Sequence, residues 1–336
     1  MKICVVGAGA IGGLLGARFA LLGQEVTLID RGAHLAALQK DGLKLIAQDD
    51  SEEVVRNIEA RDSLNGLERQ DLIVLAVKAH FLDAIARQIP ALVDPETMIM
   101  TCQNGIPWWY FHRHGGPHDG RRLRSLDPTG VLEKTIDSSL IVGCVVYPAA
   151  TAPGPGVIQH IEGDYFPVGE LDGGQSDRVQ RLYDLLVDAG FRSRILSAIR
   201  SEIWLKAWGN LSFNPISALT HATLESICHL PETRELAATM MREAQDIAAS
   251  LGITFRHTIE KRIEGAEQVG SHKTSMLQDV ELGRSLEIEA LVGAVLEMAK
   301  ITETPAPSIE AVYACVKLLN KIMLLEGGGL RINNAA

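Results

Sequence analysis

Between Lys2 and Ile29 the chain passes through a short β-rich run (Lys2–Val6), a glycine turn GAGAIG (residues 7–12), a stretch able to form a helix over residues 10–22, the stop Gly23, and a second β-rich run (Glu25–Ile29). Strand, glycine turn, helix and strand in this order are the context a dinucleotide fingerprint requires, and they commit the N-terminal part of the chain to a Rossmann-type α/β layer. Gly7 permits the tight turn, Gly9 lets the backbone approach a pyrophosphate, and Gly12 allows close helix packing. Ala10 and Ile11 open the helix whose N-terminus faces the anion. Asp30 ends the second strand where a carboxylate meets a ribose, and Arg31 follows it. The same glycines argue against reading Met1-Lys2 and the apolar run to Leu15 as a secretory leader.

A length of 336 residues suggests two domains sharing a cleft, each large enough for its own core. With 46% hydrophobic and 22% charged residues the composition is that of an ordinary globular protein, and a formal charge of -10 argues against non-specific nucleic-acid binding. Any anionic ligand must then be held by local cations. Neither nucleic acid nor membrane is expected as a partner. Cys4, Cys102, Cys144, Cys228 and Cys315 show no metal or redox spacing and read as reduced core residues of a cytoplasmic protein.

Residues 43–47 and 52–58 read as a hairpin, and the apolar runs 71–77 and 97–102 as parallel strands covered on both faces. Lys78 and Asn104 therefore stand at strand C-termini, the edge at which open α/β sheets bind ligands. Lys78 is placed near the cofactor and Asn104 near its reactive end. Residues 108–136 form an insertion, read as a hairpin in which Asp127-Pro128-Thr129-Gly130 turns between residues 122–126 and 131–136. Its four adjacent rings, Trp108 to Phe111, cannot all enter one strand face, so some are expected to line the cleft or an interface. His112, His114, His118 and Asp119 match no compact zinc spacing, and no metal is expected. Residues 140–147 and 156–161 read as further strands extending the sheet in antiparallel fashion, joined by TAPGPG. A helix over 177–189 and a last strand over 191–196 complete a domain of residues 1–197.

Residues 198–336 read as all-helical. At roughly 100° per residue, the stretch SEIWLKAWGNLSFNP (201–215) puts Trp204, Trp208 and Leu211 on one flank and Leu205 and Phe213 on another. Lys206, Asn210 and Asn214 fall in a single polar arc. An ammonium on so apolar a helix needs a partner, a depressed pKa or a ligand, although a lysine snorkelling at a domain edge fits the pattern equally. Further helices are expected over 231–251, opened by Pro231 and stopped by Gly252, and from Ser308, as cap, to about residue 325, with a frayed tail from Gly327. In the helix over 285–299, Ile288, Leu291, Val292, Val295 and Ala299 form the buried stripe. Glu287 lies at its margin, beside Ala290 and Ala294, whose small side chains leave room for a ligand; a solvated first-turn glutamate fits as well.

Taken together, GAGAIG, VKA around Lys78, QNG around Asn104, WLKAWGNLSFNP around Lys206, and SMLQD followed by LEIEALVG resemble the ketopantoate reductases (2-dehydropantoate 2-reductases), in order through nearly the whole chain. The resemblance implies that Lys206 is the general acid, that Glu287 holds the substrate hydroxyl or carbonyl, that Asn210, Asn214 and Ser275 contact substrate, and that Asn104 lies near the nicotinamide. Two departures stand out: the insertion at 108–136 is longer than in compact members, and Asp30 replaces the usual uncharged residue before Arg31. The family default is NADP, whereas Asp30 leans toward NAD. The expected activity is reduction of a 2-oxo acid to a 2-hydroxy acid by a cytoplasmic, homodimeric enzyme. A D-mandelate-type dehydrogenase on the same frame and a non-catalytic dinucleotide-binding redox sensor are the alternatives.

Overall fold

A computed structural model describes residues 1–328, and the chain divides into two compact units, Met1–Ile199 and the part from Arg200 onward. In the first, β1 (Lys2–Val6), α1 (Ala10–Leu21), β2 (Glu25–Ile29), α2 (Gly32–Asp41), β3 (Leu43–Ile46), β4 (Glu52–Val55), β5 (Ile58–Arg61) and β6 (Leu72–Leu75) follow one another. After them come α3 (Leu82–Ala86), β7 (Met98–Thr101), α4 (Val131–Thr135), β8 (Ile141–Cys144), β9 (Ala149–Gly154), β10 (Val157–Glu162), β11 (Val168–Glu170) and α5 (Asp177–Asp188). The main sheet has the order β11-β8-β7-β6-β1-β2-β5, parallel except for β11. That order reverses direction between β1 and β6, which creates the switch point of a doubly wound fold. The strands flanking it, IVLA-like runs buried on both faces, are the apolar segments read from sequence.

A second sheet, β4-β3-β10-β9, lies over α1. The expected hairpin is there, with Leu43 opposite Val55. However, residues 156–161 do not extend the main sheet: β10 pairs parallel with β3 and antiparallel with β9. The segment read as a linker is itself β9, because Pro155 and Gly156 (φ 72°) suffice for the turn. Residues 140–147 do join the main sheet, but parallel to β7 rather than antiparallel. This second layer explains why α1 has almost no polar face. A Cβ added at Gly13 would lie 2.7 Å from Ile158, so the helix is sandwiched between two sheets. Residues 191–196 pair only through isolated bridges, Tyr165 with Arg192 and Val168 with Ile195, and fall short of a strand.

The insertion is not a hairpin. Residues 122–126 close turns onto Leu123, and the buried Asp127 carboxylate accepts the N–H groups of Leu132 (3.2 Å) and Glu133 (3.0 Å), so DPTG starts α4 instead of reversing a strand. Of the four rings, Trp108 lines a small pocket with Ala79, Gln103 and Ile106, and the others lie in the interior. Turn bonds from Tyr110 to Pro107 and from His112 to Trp109 remove the alternation of a strand, and Trp108, Trp109, Tyr110 and Phe111 are all buried in the first unit. Trp109 Nε1 donates to Thr101 Oγ1 at 3.0 Å. His112, His114 and His118 stand edgewise against these rings. Of the five cysteines, four are buried as expected and Cys315 is exposed.

The second unit is helical: α6 (Ile199–Thr220), α7 (Leu224–His229), α8 (Pro231–Ser250), α9 (Ile259–Gln268), α10 (Ser275–Glu281), a π-helical turn (Glu289–Gly293) leading into α11 (Ala294–Ile301), and α12 (Pro307–Leu325). α6 continues through Pro215, since burial on nearly every side outweighs the roughly 3 kcal/mol a proline costs inside a helix. Ser308 is not the cap of α12. That role belongs to Glu243 of α8, whose carboxylate accepts Ser308 N–H and Ile309 N–H, both at 2.9 Å. Gly327 and Gly328, expected to be frayed, bond back to Leu324 and Met323 and close the helix; the rest of that tail lies outside the described residues.

Candidate active site

The glycine turn of the first unit is held from two sides. Gly7 N–H and Ala8 N–H both donate to Ile29 O at the end of β2, and His34 of α2 bridges Ala8 O (Nε2, 2.9 Å) to the N–H of Gly156 (Nδ1, 3.1 Å). His34 has no place in the fingerprint and carries no sequence signal beyond its type. Gly7 takes φ 97° and packs on the chain leaving β6, where an added Cβ would meet Val77 N at 2.9 Å. A Cβ at Gly12 would lie 1.9 Å from Gly7 O. Gly9, by contrast, is exposed, and a Cβ there would meet nothing within 4 Å. Gly9 also leaves α1 without a side-chain cap, so no side chain of the turn takes the first N–H groups of the helix. This cradle fits a dinucleotide pyrophosphate.

Around it stand the other residues expected to hold a nucleotide. Asp30 Oδ1 accepts Arg31 N–H at 2.7 Å, which fixes the carboxylate at the end of β2. The Arg31 guanidinium lies 5.3 Å from the centre of the Phe81 ring. Half-buried Lys78 precedes the short turn Ala79–Phe81, and half-buried Asn104 follows β7 just before Gly105 (φ 83°). Gln103, overlooked in the sequence, ties these two loops together: its Nε2 donates to Leu75 O (2.7 Å) and Val77 O (3.0 Å).

In the second unit the polar stripe of α6 is longer than its sequence reading. Glu202, Lys206, Asn210 and Asn214 recur every fourth residue and so lie along one ridge of the helix. Glu202, whose side chain is 4% exposed, is gripped in bidentate fashion by Arg256 (2.8 and 3.2 Å). Lys206 and Asn210 are half-buried, and Asn214 is buried. Around them Trp204, Trp208, Leu211 and Phe213 are buried, with Trp208 Nε1 donating to Met241 O (2.8 Å) and its ring 4.2 Å from that of Phe255. The structure brings two expected residues together: Asn214 Nδ2 donates to Ser275 Oγ at 3.5 Å. Ser275 is presented as the first residue of α10, which Thr274 caps through Leu277 N–H.

Glu287 is half-buried and sits just ahead of its helix, accepting Leu291 N–H on its carbonyl. Ala290 and Ala294 do not open room beside it; both are buried in packing. The π-helical turn from Glu289 to Gly293 explains this, since one residue more per turn carries the buried surface further round the helix. Glu289 is locked by Tyr313 Oη (2.9 and 3.0 Å) and Lys317 Nζ (2.9 Å). Burial pushes the Tyr313 hydroxyl pKa up. Among the described residues, no group of three or more His, Cys, Asp or Glu is placed to hold a metal, and no helix is long and apolar enough to cross a membrane.

A glycine cradle at the switch point of a parallel sheet, joined in one chain to a helical unit with a lysine on a polar ridge, defines a pyridine-nucleotide-dependent oxidoreductase of the two-unit type. The family model described as "Ketopantoate reductase PanE/ApbA" matches residues 3–114, and "Ketopantoate reductase PanE/ApbA C terminal" matches residues 198–320. A 2-dehydropantoate 2-reductase of Mesorhizobium japonicum is 49% identical over 95% of this chain and 98% of its own. A crystal structure of a candidate ketopantoate reductase from Ralstonia solanacearum MolK2 is 38% identical, covering 96% of this chain and 98% of that one, with a TM-score of 0.91. The fold is shared with a D-mandelate dehydrogenase solved with NADH and anilino(oxo)acetate (TM-score 0.82, 22% identity, 96% of this chain and 100% of that one). The chain belongs to the ketopantoate reductase family.

Proposed function

We propose that the protein reduces 2-dehydropantoate to pantoate, a 2-oxo acid to a 2-hydroxy acid, with a nicotinamide dinucleotide held by residues 1–197 and the oxo acid by the helical residues 198–336. The observation that carries the reading is the ridge of α6, on which a half-buried lysine is followed at four-residue intervals by two asparagines, the second bonded to Ser275. When bound, the reduced nicotinamide supplies a hydride to the keto carbon. Lys206 Nζ gives its proton to the carbonyl oxygen as negative charge develops there, a transfer typically worth about 10²–10⁴-fold in rate. Asn210, Asn214 and Ser275 orient the acid, and the Glu287 carboxylate accepts a substrate hydroxyl. Asn104 stands toward the nicotinamide and Lys78 toward the phosphates.

The test is a panel of 2-oxo acids assayed by NAD(P)H oxidation, with 2-dehydropantoate expected as the best substrate. Lys206→Ala should keep dinucleotide affinity while lowering kcat by about 10²–10⁴. Turnover near the wild-type rate would remove the lysine from the mechanism.

For the cofactor, the reading favours NADH over the family default NADPH. The Asp30 carboxylate repels a phosphate at the adenosine 2′-oxygen, and Arg31 is engaged on the Phe81 ring. A tenfold preference for NADPH in kcat/KM, about 1.4 kcal/mol, would overturn this. A cytoplasmic homodimer completes the proposal, supported by reduced cysteines and by the exposed apolar row Leu318, Ile322 and Leu325 on α12.

A further inference from the structure

Gly209 interrupts α6 one residue before Asn210 and three after Lys206. Inside a helix a glycine is destabilising relative to alanine, so a buried one requires a cause. The cause is a guanidinium. A Cβ built on Gly209 would lie 2.1 Å from Nη2, 2.7 Å from Cζ and 2.8 Å from Nε of Arg262, so the planar group rests against the helix backbone where a side chain would stand. Arg262 comes from α9, is half-buried, and has its Nε shielded from solvent. Residues three apart on a helix are surface neighbours, with Cβ atoms about 5–6 Å apart. The guanidinium therefore sits within one turn of the Lys206 root and beside that of Asn210.

On the reading of Lys206 as proton donor, we infer that Arg262 grips the carboxylate of the 2-oxo acid and sets the preference of the enzyme for acids over neutral ketones. A 2-oxo acid carries its carboxylate directly on the carbonyl carbon, so a cation that binds it must lie within a few ångströms of the group that protonates the carbonyl. The chain has a formal charge of -10, so an anionic substrate depends on cations placed locally. A guanidinium offers a carboxylate two parallel donors and can stack flat on backbone, which an ammonium cannot do. Gly209 is then a substrate-site residue without a side chain: it leaves the seat that Arg262 occupies.

Steady-state kinetics of wild type, Arg262→Ala, Arg262→Lys and Gly209→Ala on 2-dehydropantoate and on its primary amide test this directly. Arg262→Ala should raise KM for the acid by 10- to 100-fold, leave KM for the dinucleotide within twofold, and reduce the acid-to-amide preference toward unity. Gly209→Ala should do the same with the arginine still present, because the methyl group displaces it. Millimolar guanidinium should restore acid turnover to Arg262→Ala and not to Gly209→Ala, a response that a packing role would not produce. Arg262→Lys, which keeps the charge, should fall between. An unchanged acid-to-amide preference in Arg262→Ala, or loss on both substrates in equal proportion, overturns the inference and leaves Lys206 in place. A wild-type protein inert toward every 2-oxo acid overturns the function itself.

Discussion

Two glycines of the turn, three residues apart, should fail in opposite ways when each gains one methyl group. At Gly12 the new Cβ would lie 1.9 Å from Gly7 O, 2.9 Å from Ala76 Cβ and 3.0 Å from Val5 Cγ1. The first of these is more than an ångström inside contact distance, and the atom it meets is backbone. Overpacking a core by one carbon costs about 1–3 kcal/mol, and with a fixed carbonyl as the obstacle the upper end applies. At Gly9 the methyl group meets nothing within 4 Å, and its φ of -67° suits alanine. The gain of about 0.4–1 kcal/mol from a stiffer unfolded chain is offset by alanine being a poorer N-cap than glycine. Stability should therefore stay within about 0.5 kcal/mol of wild type. On the proposed reading, however, the dinucleotide uses that space. Losing one or two hydrogen bonds to a charged pyrophosphate, at about 1.5–3 kcal/mol each, weakens binding by roughly 10- to 100-fold or more. Thermal melts and fluorescence titration with NADH and NADPH read the two quantities separately. Gly12→Ala should lose stability and binding together, Gly9→Ala binding alone. If Gly9→Ala binds dinucleotide as tightly as wild type, the open space above α1 is not the pyrophosphate site.

Other outcomes follow from the packing. Glu243→Ala removes the carboxylate that caps α12 and strands two N–H groups, an expected loss of about 2–4 kcal/mol by denaturant melts; a loss under 1 kcal/mol would mean that water replaces it. Trp109→Ala empties a site filled by a wholly buried ring and should cost about 3–5 kcal/mol while leaving the ranking of 2-oxo acids untouched, with a changed ranking pointing back to a cleft role. In native protein one thiol of five, the exposed Cys315, should alkylate quickly at pH 8, since burial raises the Cys4 thiol to about 12 and keeps its thiolate scarce. Labelling of several thiols before unfolding would contradict that.

The elements visible in the sequence were those whose residues settle their own environment. Apolar runs such as LIVL in β6 and MIMT in β7 have only a sheet interior to occupy, and the glycine turn has only one tight geometry. β5 was invisible because IEAR, at the sheet edge, shows neither alternation nor a run. The second sheet is not legible in the sequence because β10 pairs with β3, and no local pattern couples Val157 to Lys44. The insertion misled for a related reason. DPTG is a turn in either reading, and what makes it a helix start is that the Asp127 carboxylate is buried and turned toward Leu132 and Glu133, a tertiary fact.

The candidate site divides along the same line, and the division says how α6 works. The ridge itself is periodic and local, so Lys206, Asn210 and Asn214 could be read from spacing. What holds each position is not local: Arg256 on Glu202, Arg262 on Gly209, Ser275 on Asn214 all come from the chain beyond α8. Buried polar groups persist only when partnered, so an apolar helix carrying four of them needs a set of partners delivered by other elements. Those partners sit on α9, on α10 and in the loop ahead of α9, short elements with fewer buried residues than α6 or α8. If the ridge binds the substrate as proposed, substitutions there alter what it recognises while leaving the helix that bears Lys206, and the dinucleotide cradle of the first unit, as they are. Substrate choice is therefore expected to vary with α9 and α10, and proton transfer with α6.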